Sequence, residues 1–234
     1  MEKNAKMKRT LCLALCTMLI IMTGCATDTL GIDSGLFTDK PCKAPCWNSL
    51  TPGVSTAKDV DRFIQSRDLK QWPTMRTYAY ETGCKMIQIA DKTFLTAHAV
   101  ISMNVDNGRL TYIQSAHENM PSLQQIVDHM GPPEYFEALH VIGPDGEGYM
   151  LTIYYPKQGV VFDVSVDLKD LGFIKPDMVV SDIQYFEPGD LLSYFLASYS
   201  CDVGQEGAKS NAQREIANIQ PWSGFGEVKV VQTR

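Results

Sequence analysis

The sequence lacks the short motifs that mark the common classes of enzyme. It contains no Gly-x-Ser-x-Gly, no His-Glu-x-x-His, no Walker phosphate loop and no Gly-x-Gly-x-x-Gly. Histidine is scarce, with four scattered residues: His98, His117, His129 and His140. Two of them adjoin a carboxylate, in His117-Glu118 and Asp128-His129, but such neighbours are common at helix ends and in loops. We therefore expect no catalytic residue, no cofactor and no metal site.

The chain also lacks an apolar run long enough to cross a bilayer, which takes about 20 residues in a helix. Its longest run covers residues 11–22 and follows a basic segment that contains Lys3, Lys6, Lys8 and Arg9. This combination is typical of a secretory signal peptide. A short membrane-anchor helix is the alternative interpretation. The residues that follow the run, Thr23-Gly24-Cys25, favour the signal peptide.

Met22-Thr23-Gly24-Cys25 resembles the bacterial lipobox, in which an aliphatic residue and two small residues precede a cysteine. Met22 stands where leucine is usual. The resemblance implies that residues 1–24 are a lipoprotein signal peptide and that Cys25 becomes the first residue and carries acyl chains such as palmitate. Two or more chains anchor a protein stably. The expected location is the extracytoplasmic face of a membrane in the cell envelope. Ala26 permits sorting to the outer membrane in an organism that has one.

The chain without this leader has little positive charge. Residues 1–24 hold four basic residues and one acidic residue, so 17 basic and 26 acidic residues remain and the formal charge is −9. A charge of this sign argues against nucleic acid or an anionic lipid surface as a partner. Residues 25–40 are small and polar, which predicts a flexible tether. The folded part is expected to begin near residue 41.

Four cysteines remain after the signal peptide and the lipidated residue are set aside. An even number outside the cytosol indicates disulfides, for which three connectivities are possible. Cys42 and Cys46 enclose a short loop around Pro45, so we favour this pair together with Cys84–Cys201. A zinc site would need a second close pair or a histidine nearby, and a thioredoxin-like site would need Cys-x-x-Cys. The sequence offers neither.

Helices and strands alternate in a pattern that predicts an α+β fold. Two helices begin at capping boxes, Thr56 with Asp59 and Ser122 with Gln125, and a third is expected over residues 190–198. Strands are predicted over residues 85–90, 95–105, 109–116, 134–142, 149–155, 160–168, 178–186 and 227–231. Because each capped helix precedes a meander, we predict two tandem units, residues 41–118 and 119–234, with the helices on one face of an antiparallel sheet. One undivided α+β domain is the alternative.

The first helix start resembles that of the SmpA/OmlA-type envelope lipoproteins, which share a fold with the β-lactamase-inhibitor repeats. Gly53 and Val60 match the Gly-Met-Thr-x-x-x-Val pattern of that family, and Val54 and Ser55 stand for Met and Thr. The Leu-Gly-x-Pro helix stop of the family occurs only in the second half, as Met130-Gly131-Pro132-Pro133. The resemblance implies a small α+β envelope module that binds proteins.

These observations predict a tethered protein-binding or envelope-assembly module whose partner is an envelope protein. Its predicted contact surface includes Trp47, Trp222 and Phe225, which lie in turn-rich segments. Tryptophan on a rigid loop is a frequent hot-spot residue, because it buries much area at low entropic cost. The alternative for both tryptophans is that the rings fill the ends of the core.

A surface-tethered hydrolase or a solute-binding protein is the alternative function. Asp163 and Asp167 alternate on one predicted strand, so they could flank a sugar as paired carboxylates. The solvated face of a half-buried strand also explains them. A solute-binding protein commonly has two larger α/β lobes, and the chain lacks the repeated βαβ order of such lobes.

Overall fold

The computed structural model describes residues 36–37, 39, 41–66, 73–92, 99–117, 120–143 and 146–233, and Ser34–Arg234 form one compact unit. Cys25, the predicted signal peptide and most of the predicted tether lie outside the described residues. The described helices are α1 (Ala57–Ser66), α2 (Leu123–Met130) and α3 (Leu191–Ile216). The described strands are β1 (Thr74–Ala79), β2 (Lys85–Ala90), β3 (Ala99–Asp106), β4 (Arg109–His117), β5 (Tyr135–Gly143), β6 (Gly146–Tyr155), β7 (Val160–Ser165), β8 (Phe173–Ile174), β9 (Val180–Phe186), β10 (Gln220–Pro221), β11 (Gly226–Glu227) and β12 (Val231–Thr233).

Most of the strands form one large antiparallel sheet, which confirms the α+β class. The order across the sheet is β1-β2-β3-β4-β9-β7-β6-β5-β10, and β12 pairs with β5 in parallel. The first and second predicted meanders meet where β4 pairs with β9, with Tyr112 opposite Phe186. The sheet is therefore continuous across the predicted boundary between residues 118 and 119. β8 and β11 form a separate two-stranded ribbon.

The first two helices begin at the predicted capping boxes. Asp59 Oδ2 accepts the backbone N–H of Thr56 at 2.9 Å, and Thr56 Oγ1 accepts that of Asp59 at 3.3 Å. Ser122 and Gln125 exchange the same two kinds of bond at the start of α2. These side chains satisfy N–H groups that have no partner within the helix. α2 ends at Gly131, as predicted.

The third helix is much longer than the predicted residues 190–198. It starts after Asp190, whose side chain accepts the backbone N–H of Ser193 at 2.8 Å, and it continues to Ile216. Gly204 interrupts it with φ 68° and ψ 174°, which divides α3 into a first half, residues 191–203, and a second half, residues 205–216. A side chain at a positive φ would be strained, so glycine at this position permits the bend.

Successive side chains on a strand point to opposite faces of a sheet, and the two faces of this sheet differ in composition. The core face is apolar; it includes five side chains that are at most 2 % exposed: Ile101, Met103, Ile113, Phe162 and Ile183. The opposite surface, which we call the α3 face, carries the polar residues that alternate with them. Seven buried polar residues occur among the described ones, and those on the α3 face include Ser102, Asn104, Glu137, Thr152 and Gln184.

Helices contact both faces of the sheet. On the α3 face, Asn104 Nδ2 donates to the backbone carbonyls of Ala197 and Ser198 in α3, at 3.3 and 3.4 Å. On the core face, the hydroxyl of Tyr155 donates to the carbonyl of Gly131, which ends α2, at 2.8 Å. The prediction that the helices pack on one face is therefore not confirmed.

Candidate functional site

Both disulfides have the pairing that the sequence favoured. Cys42 bonds Cys46, and Cys84 bonds Cys201. The second bond joins the residue before β2 to the first half of α3, across 117 residues of sequence. Cys84 is 1 % exposed and Cys201 is 0 % exposed, so this bond lies within the core. Among the predicted site residues, only the lipidation site, Cys25, lies outside the described part of the chain.

The predicted contact surface is wrong for Trp47. Its side chain is 0 % exposed and meets the Phe63 ring of α1 edge to face, with the ring centroids 5.3 Å apart. The physical reason is the tight turn in which Trp47 and Leu50 exchange backbone hydrogen bonds of 2.8 Å, which directs the indole ring beneath α1. Trp47 is therefore a core residue, as the alternative held.

The other two predicted aromatics, Trp222 and Phe225, are half-buried. Their rings meet edge to face with centroids 5.6 Å apart, and Trp222 also meets Phe136 of β5 at 6.2 Å. The backbone N–H of Trp222 donates to the carbonyl of Glu134 at 3.0 Å, which holds this segment against the β5 end of the sheet. The two rings keep a partly exposed surface there.

The α3 face contains a polar network that the sequence analysis missed. Its centre is Gln184 of β9, which is 3 % exposed. Gln184 Oε1 accepts the hydroxyls of Tyr112 and Tyr194, both at 2.7 Å. Its Nε2 donates to Asp163 at 2.6 Å and to Asp182 at 3.1 Å. Because Tyr194 belongs to α3, this amide connects the helix to a pair of carboxyl groups on the sheet.

The carboxyl groups belong to a row that crosses three neighbouring strand pairs. Glu137 of β5 lies opposite Thr152 of β6, Thr152 lies opposite Asp163 of β7, and Asp163 lies opposite Asp182 of β9. We call these four residues the acid row. Thr152 Oγ1 donates to Asp163 Oδ1 at 2.8 Å, and Gln114 donates to Asp182 Oδ1 at 3.2 Å. The donors to the two aspartates are thus mainly neutral groups.

Burial raises the pKa of each of the three acids in the acid row. It raises the pKa of Asp163 to about 7, and the charge of Asp182 directly opposite acts in the same direction. The pKa of Asp182 is also raised by burial, although hydrogen bonds from Gln114 and Gln184 oppose this. Two carboxylates in one pair repel each other, so near neutral pH the pair favours holding one proton.

Glu137 has the smallest exposed fraction in the acid row, at 6 %. Its Oε2 accepts the hydroxyl of Tyr154 at 3.1 Å, whereas its Oε1 has no hydrogen-bond partner among the described residues. Burial raises the pKa of Glu137 to about 7, the Tyr154 bond lowers it, and the charge of Glu215 in α3 raises it further. The described ion pairs involve none of the three acids of the row.

Asp163 and Asp167, which the sequence suggested as paired carboxylates, do not lie on one face of a strand. β7 ends at Ser165, and Asp167 lies in the following turn, where its carboxylate forms an ion pair with Lys169 at 2.6 Å. That pairing lowers the pKa of Asp167, the opposite of the effect at Asp163. The partner of Asp163 is Asp182, 19 positions later in the sequence, because antiparallel pairing of β7 with β9 joins them.

Beyond the acid row, the α3 face continues into an exposed apolar strip. Leu139 of β5 lies opposite Met150 of β6, and Met150 lies opposite Ser165 of β7. The N–H of Ser165 donates to the carbonyl of Val179 at 3.0 Å. Met150 is 50 % exposed and Val179 is 48 % exposed. We call Leu139, Met150 and Val179 the apolar strip; Leu139 is half-buried, and Ser165 lies between Met150 and Val179.

A cavity of about 230 Å³ lies on the same face, between α3 and strands β2 to β4. Amide, hydroxyl and carboxylate groups line it together with three tyrosines; its polar lining includes Gln88, Ser102, Gln114, Ser198 and Asp202. Gln88 Nε2 donates to Ser102 Oγ at 3.3 Å. The lining suits a small polar molecule better than an apolar one.

The histidines form no catalytic arrangement in the described residues. His129 stacks obliquely on Phe37, with ring centroids 5.2 Å apart, while its neighbour Asp128 accepts a hydrogen bond from Gln124. His140 lies 3.3 Å from the carboxylate of Glu147. His98, the His117 side chain and Glu118 fall outside the described part. Within that part, no group of three or more histidine, cysteine or acidic side chains is arranged to hold a metal ion.

In comparisons with known proteins, the chain matches no family model, no curated protein and no solved structure. The fold and the site define the class of protein: an α+β protein with one large antiparallel sheet and two disulfides. None of the described helices is long and apolar enough to span a membrane.

Proposed function

We propose that the protein is an exported lipoprotein, anchored through acyl chains on Cys25, whose folded part binds another protein of the cell envelope. The lipobox-like sequence supports the anchor, and the small polar residues 25–40 would serve as the tether. The two disulfides support export, because such bonds persist in oxidising compartments and are rare in the cytosol.

The observation that carries the binding function is the apolar strip. Met150 and Val179 expose about half of their surface on the same sheet face, and Leu139 continues the line towards β12. Burying such side chains against a partner is worth roughly 25 cal/mol per Å² of apolar surface before the costs of association.

The tandem arrangement is part of this proposal. Each half of the sheet begins after a capped helix, α1 or α2, and the halves meet edge to edge at β4 and β9. We take them as two units that share one sheet, in keeping with the resemblance to the SmpA/OmlA-type lipoproteins. A joined sheet of this kind offers a broad, rigid face for a protein partner.

Lipid attachment is tested by metabolic labelling with an alkyne analogue of palmitate. We expect label on the wild-type chain and none on Cys25→Ser, because the thiol is the acceptor. Cys12→Ser is the matched control and should be labelled like the wild type. An N-terminal peptide of the purified protein with an intact leader and an unmodified Cys25 would contradict the proposed anchor.

Partner binding is tested separately, by placing a photocrosslinking amino acid at Met150 or Val179 in cells. We expect one discrete crosslinked product that contains an envelope protein. Val203 is the matched control, since it is equally exposed at 46 % but lies on α3 away from the apolar strip. Equal products from Val203 and Met150, or none from either strip position, would count against the proposed surface.

The cavity beside α3 favours solute binding as a second candidate function. Its volume of about 230 Å³ admits a molecule of the size of a single sugar or amino acid. Thermal shift with neutral sugars and amino acids tests this candidate. Ser102→Leu fills the cavity, so a stabilising ligand should lose its effect on this variant; a shift that persists would place the binding elsewhere.

A further inference from the structure

The two halves of α3 are attached to the sheet in different ways. The first half is held by the Cys84–Cys201 disulfide and by the hydrogen bond from Tyr194 to Gln184. The second half follows the bend at Gly204 and contributes Ala212 and Ile216 to an apolar cluster with Tyr154 and its neighbours. Within residues 205–216 the attachment therefore relies on packing, which can be lost without breaking a covalent bond, while the chain beyond the helix is held to β5 by β10 and to Glu134 by the N–H of Trp222.

The second half lies over the buried carboxyl group of Glu137. Glu137 carries an unpartnered Oε1 at 6 % exposure, and the carboxylate of Glu215 in the second half acts on it electrostatically. The ionisable groups that face this region are Tyr154 on β6, Asp163 on β7, Asp182 on β9, and Tyr199, Arg214 and Glu215 on α3. Arg214 is the cation among these, and its guanidinium is bonded to the side chain of Asn211.

Docking of the second half is consequently coupled to protonation of Glu137. In the docked state burial raises the pKa of Glu137 to about 7, whereas a solvated glutamate has its ordinary pKa of 4.5. The docked state thus holds a proton that the released state gives up between these two pH values. Docking is strongest below pH 4.5 and weakens as the pH rises through 7, which is the sign expected for an acid whose pKa is raised by folding.

We propose that the second half of α3 is a proton-dependent latch, which lies on the sheet while Glu137 is protonated and separates from it when this carboxyl group ionises. Among the described residues the group forms no ion pair, and Arg214 is bonded to Asn211 instead; once ionised it faces Glu215 and lacks hydration while the helix covers it. Release hydrates both carboxylates. Gly204 provides the hinge, the disulfide at Cys201 keeps the first half in place, and the pairing of β10 with β5 retains the chain beyond the helix.

The aspartate pair acts on the other half of the helix. Asp163 and Asp182 bond to Gln184, whose opposite end holds Tyr194 in the first half, and the disulfide retains that half whatever their charge. Release of the second half would uncover Tyr135 and Tyr154, which lie on the same sheet face as Leu139 and Met150, with Glu137 and Thr152 between the two pairs. This last consequence, a larger docking surface at higher pH, rests on the proposed function; the latch itself does not.

Hydrogen–deuterium exchange of the full chain between pH 5 and pH 8, corrected for the intrinsic effect of pH on exchange, tests the latch. We expect protection of peptides within residues 205–216 to fall by up to tenfold per pH unit between pH 5 and pH 7 and to level off above pH 7.5, because one proton is lost. Peptides of β6 and β7 serve as the internal reference. Protection of residues 205–216 that does not change with pH would overturn the proposal.

Glu137→Gln removes the ionisation and keeps an acceptor for Tyr154, so residues 205–216 should stay protected at pH 8. Glu206→Gln, an exposed acid on the same half of the helix, is the matched control and should keep the wild-type pH profile. If Glu137→Gln does not fold, Glu215→Gln decides: loss of its charge should move the midpoint to lower pH, and an unchanged midpoint would overturn the latch. Crosslinking at Met150 reports on the docking surface independently.

Discussion

The two faces of the sheet bury side chains of opposite character. The core face carries side chains such as Phe162 and Ile183, both 0 % exposed, which gain free energy simply by leaving water. The α3 face carries Asp163, Gln184 and Glu137, which lose hydration when α3 covers them. The core face therefore needs no specific partner, whereas the α3 face needs a network of donors and, near neutral pH, protons.

This difference indicates where the molecule can change shape. Apolar packing on the core face does not depend on a protonation state, so we expect that side of the sheet to respond little to pH. The α3 face combines buried carboxyl groups with a helix that bends at Gly204 and is covalently fixed only in its first half. We therefore expect a conformational change in response to pH on the α3 face and not on the core face.

The largest expected effect concerns the covalent link between α3 and the sheet. Replacing both Cys84 and Cys201 by alanine should lower the free energy of unfolding by about 4–5 kcal/mol, because the bond closes a loop of more than a hundred residues in the unfolded chain. Replacing Cys42 and Cys46 should cost only about 2 kcal/mol on the same chain-entropy argument. Urea denaturation measures both; equal losses would show that the α3 face does not depend on its disulfide in this way.

The core face is tested by Phe162→Ala. We expect a loss of about 3–5 kcal/mol, since the substitution removes a fully buried ring and leaves a cavity next to Tyr155. The loss should be the same at pH 5 and pH 8, because no ionisable group changes its burial. A loss that differs markedly between the two pH values would contradict the proposal that only the α3 face responds to pH.

The α3 face should show the opposite behaviour with Asp163→Asn. The wild-type protein loses stability as the pH rises from about 4 to 7, because the folded state holds protons that the unfolded state releases. The asparagine variant should lack the part of this loss that Asp163 contributes, keep the part that Glu137 contributes, and be more stable than the wild type at pH 8 by on the order of 2–4 kcal/mol. Asp167→Asn, at the exposed ion pair with Lys169, is the control and should keep the wild-type slope above pH 5.

The sequence supported the prediction of those parts of the fold that are determined locally. Both capping boxes, the Gly131 helix end and most strands follow from short patterns, since side-chain periodicity and cap chemistry act within a few residues. β1 was missed because its side chains are nearly all exposed and therefore show no alternation. The second half of α3 was missed because Gly204 and Gly207 disfavour a helix locally and tertiary packing on the sheet overrides them.

The candidate site was largely hidden from sequence because strand order creates it. Asp163 and Asp182 meet only when β7 pairs with β9, and β8 intervenes between them in the chain. One local clue was present: Glu137 and Asp163 each interrupt a short apolar and aromatic run, residues 135–139 and 160–164. Trp47 shows the reverse error, since a turn-rich sequence predicted exposure and the turn instead directs the ring inwards.

The smallest effect on stability is expected at the exposed end of the α3 face. Met150→Ser should change the free energy of unfolding by no more than about 0.5 kcal/mol, because the side chain is half exposed and bears no hydrogen bond. Its crosslinking partner, identified at Val179, should nevertheless be recovered in much smaller amounts, since a partner that covers Met150 loses an apolar contact. Val203→Ser provides the control, with similar exposure and no expected loss of recovery. If Met150→Ser instead destabilises the fold as strongly as a core substitution, the strip belongs to the core and the two faces differ less than proposed.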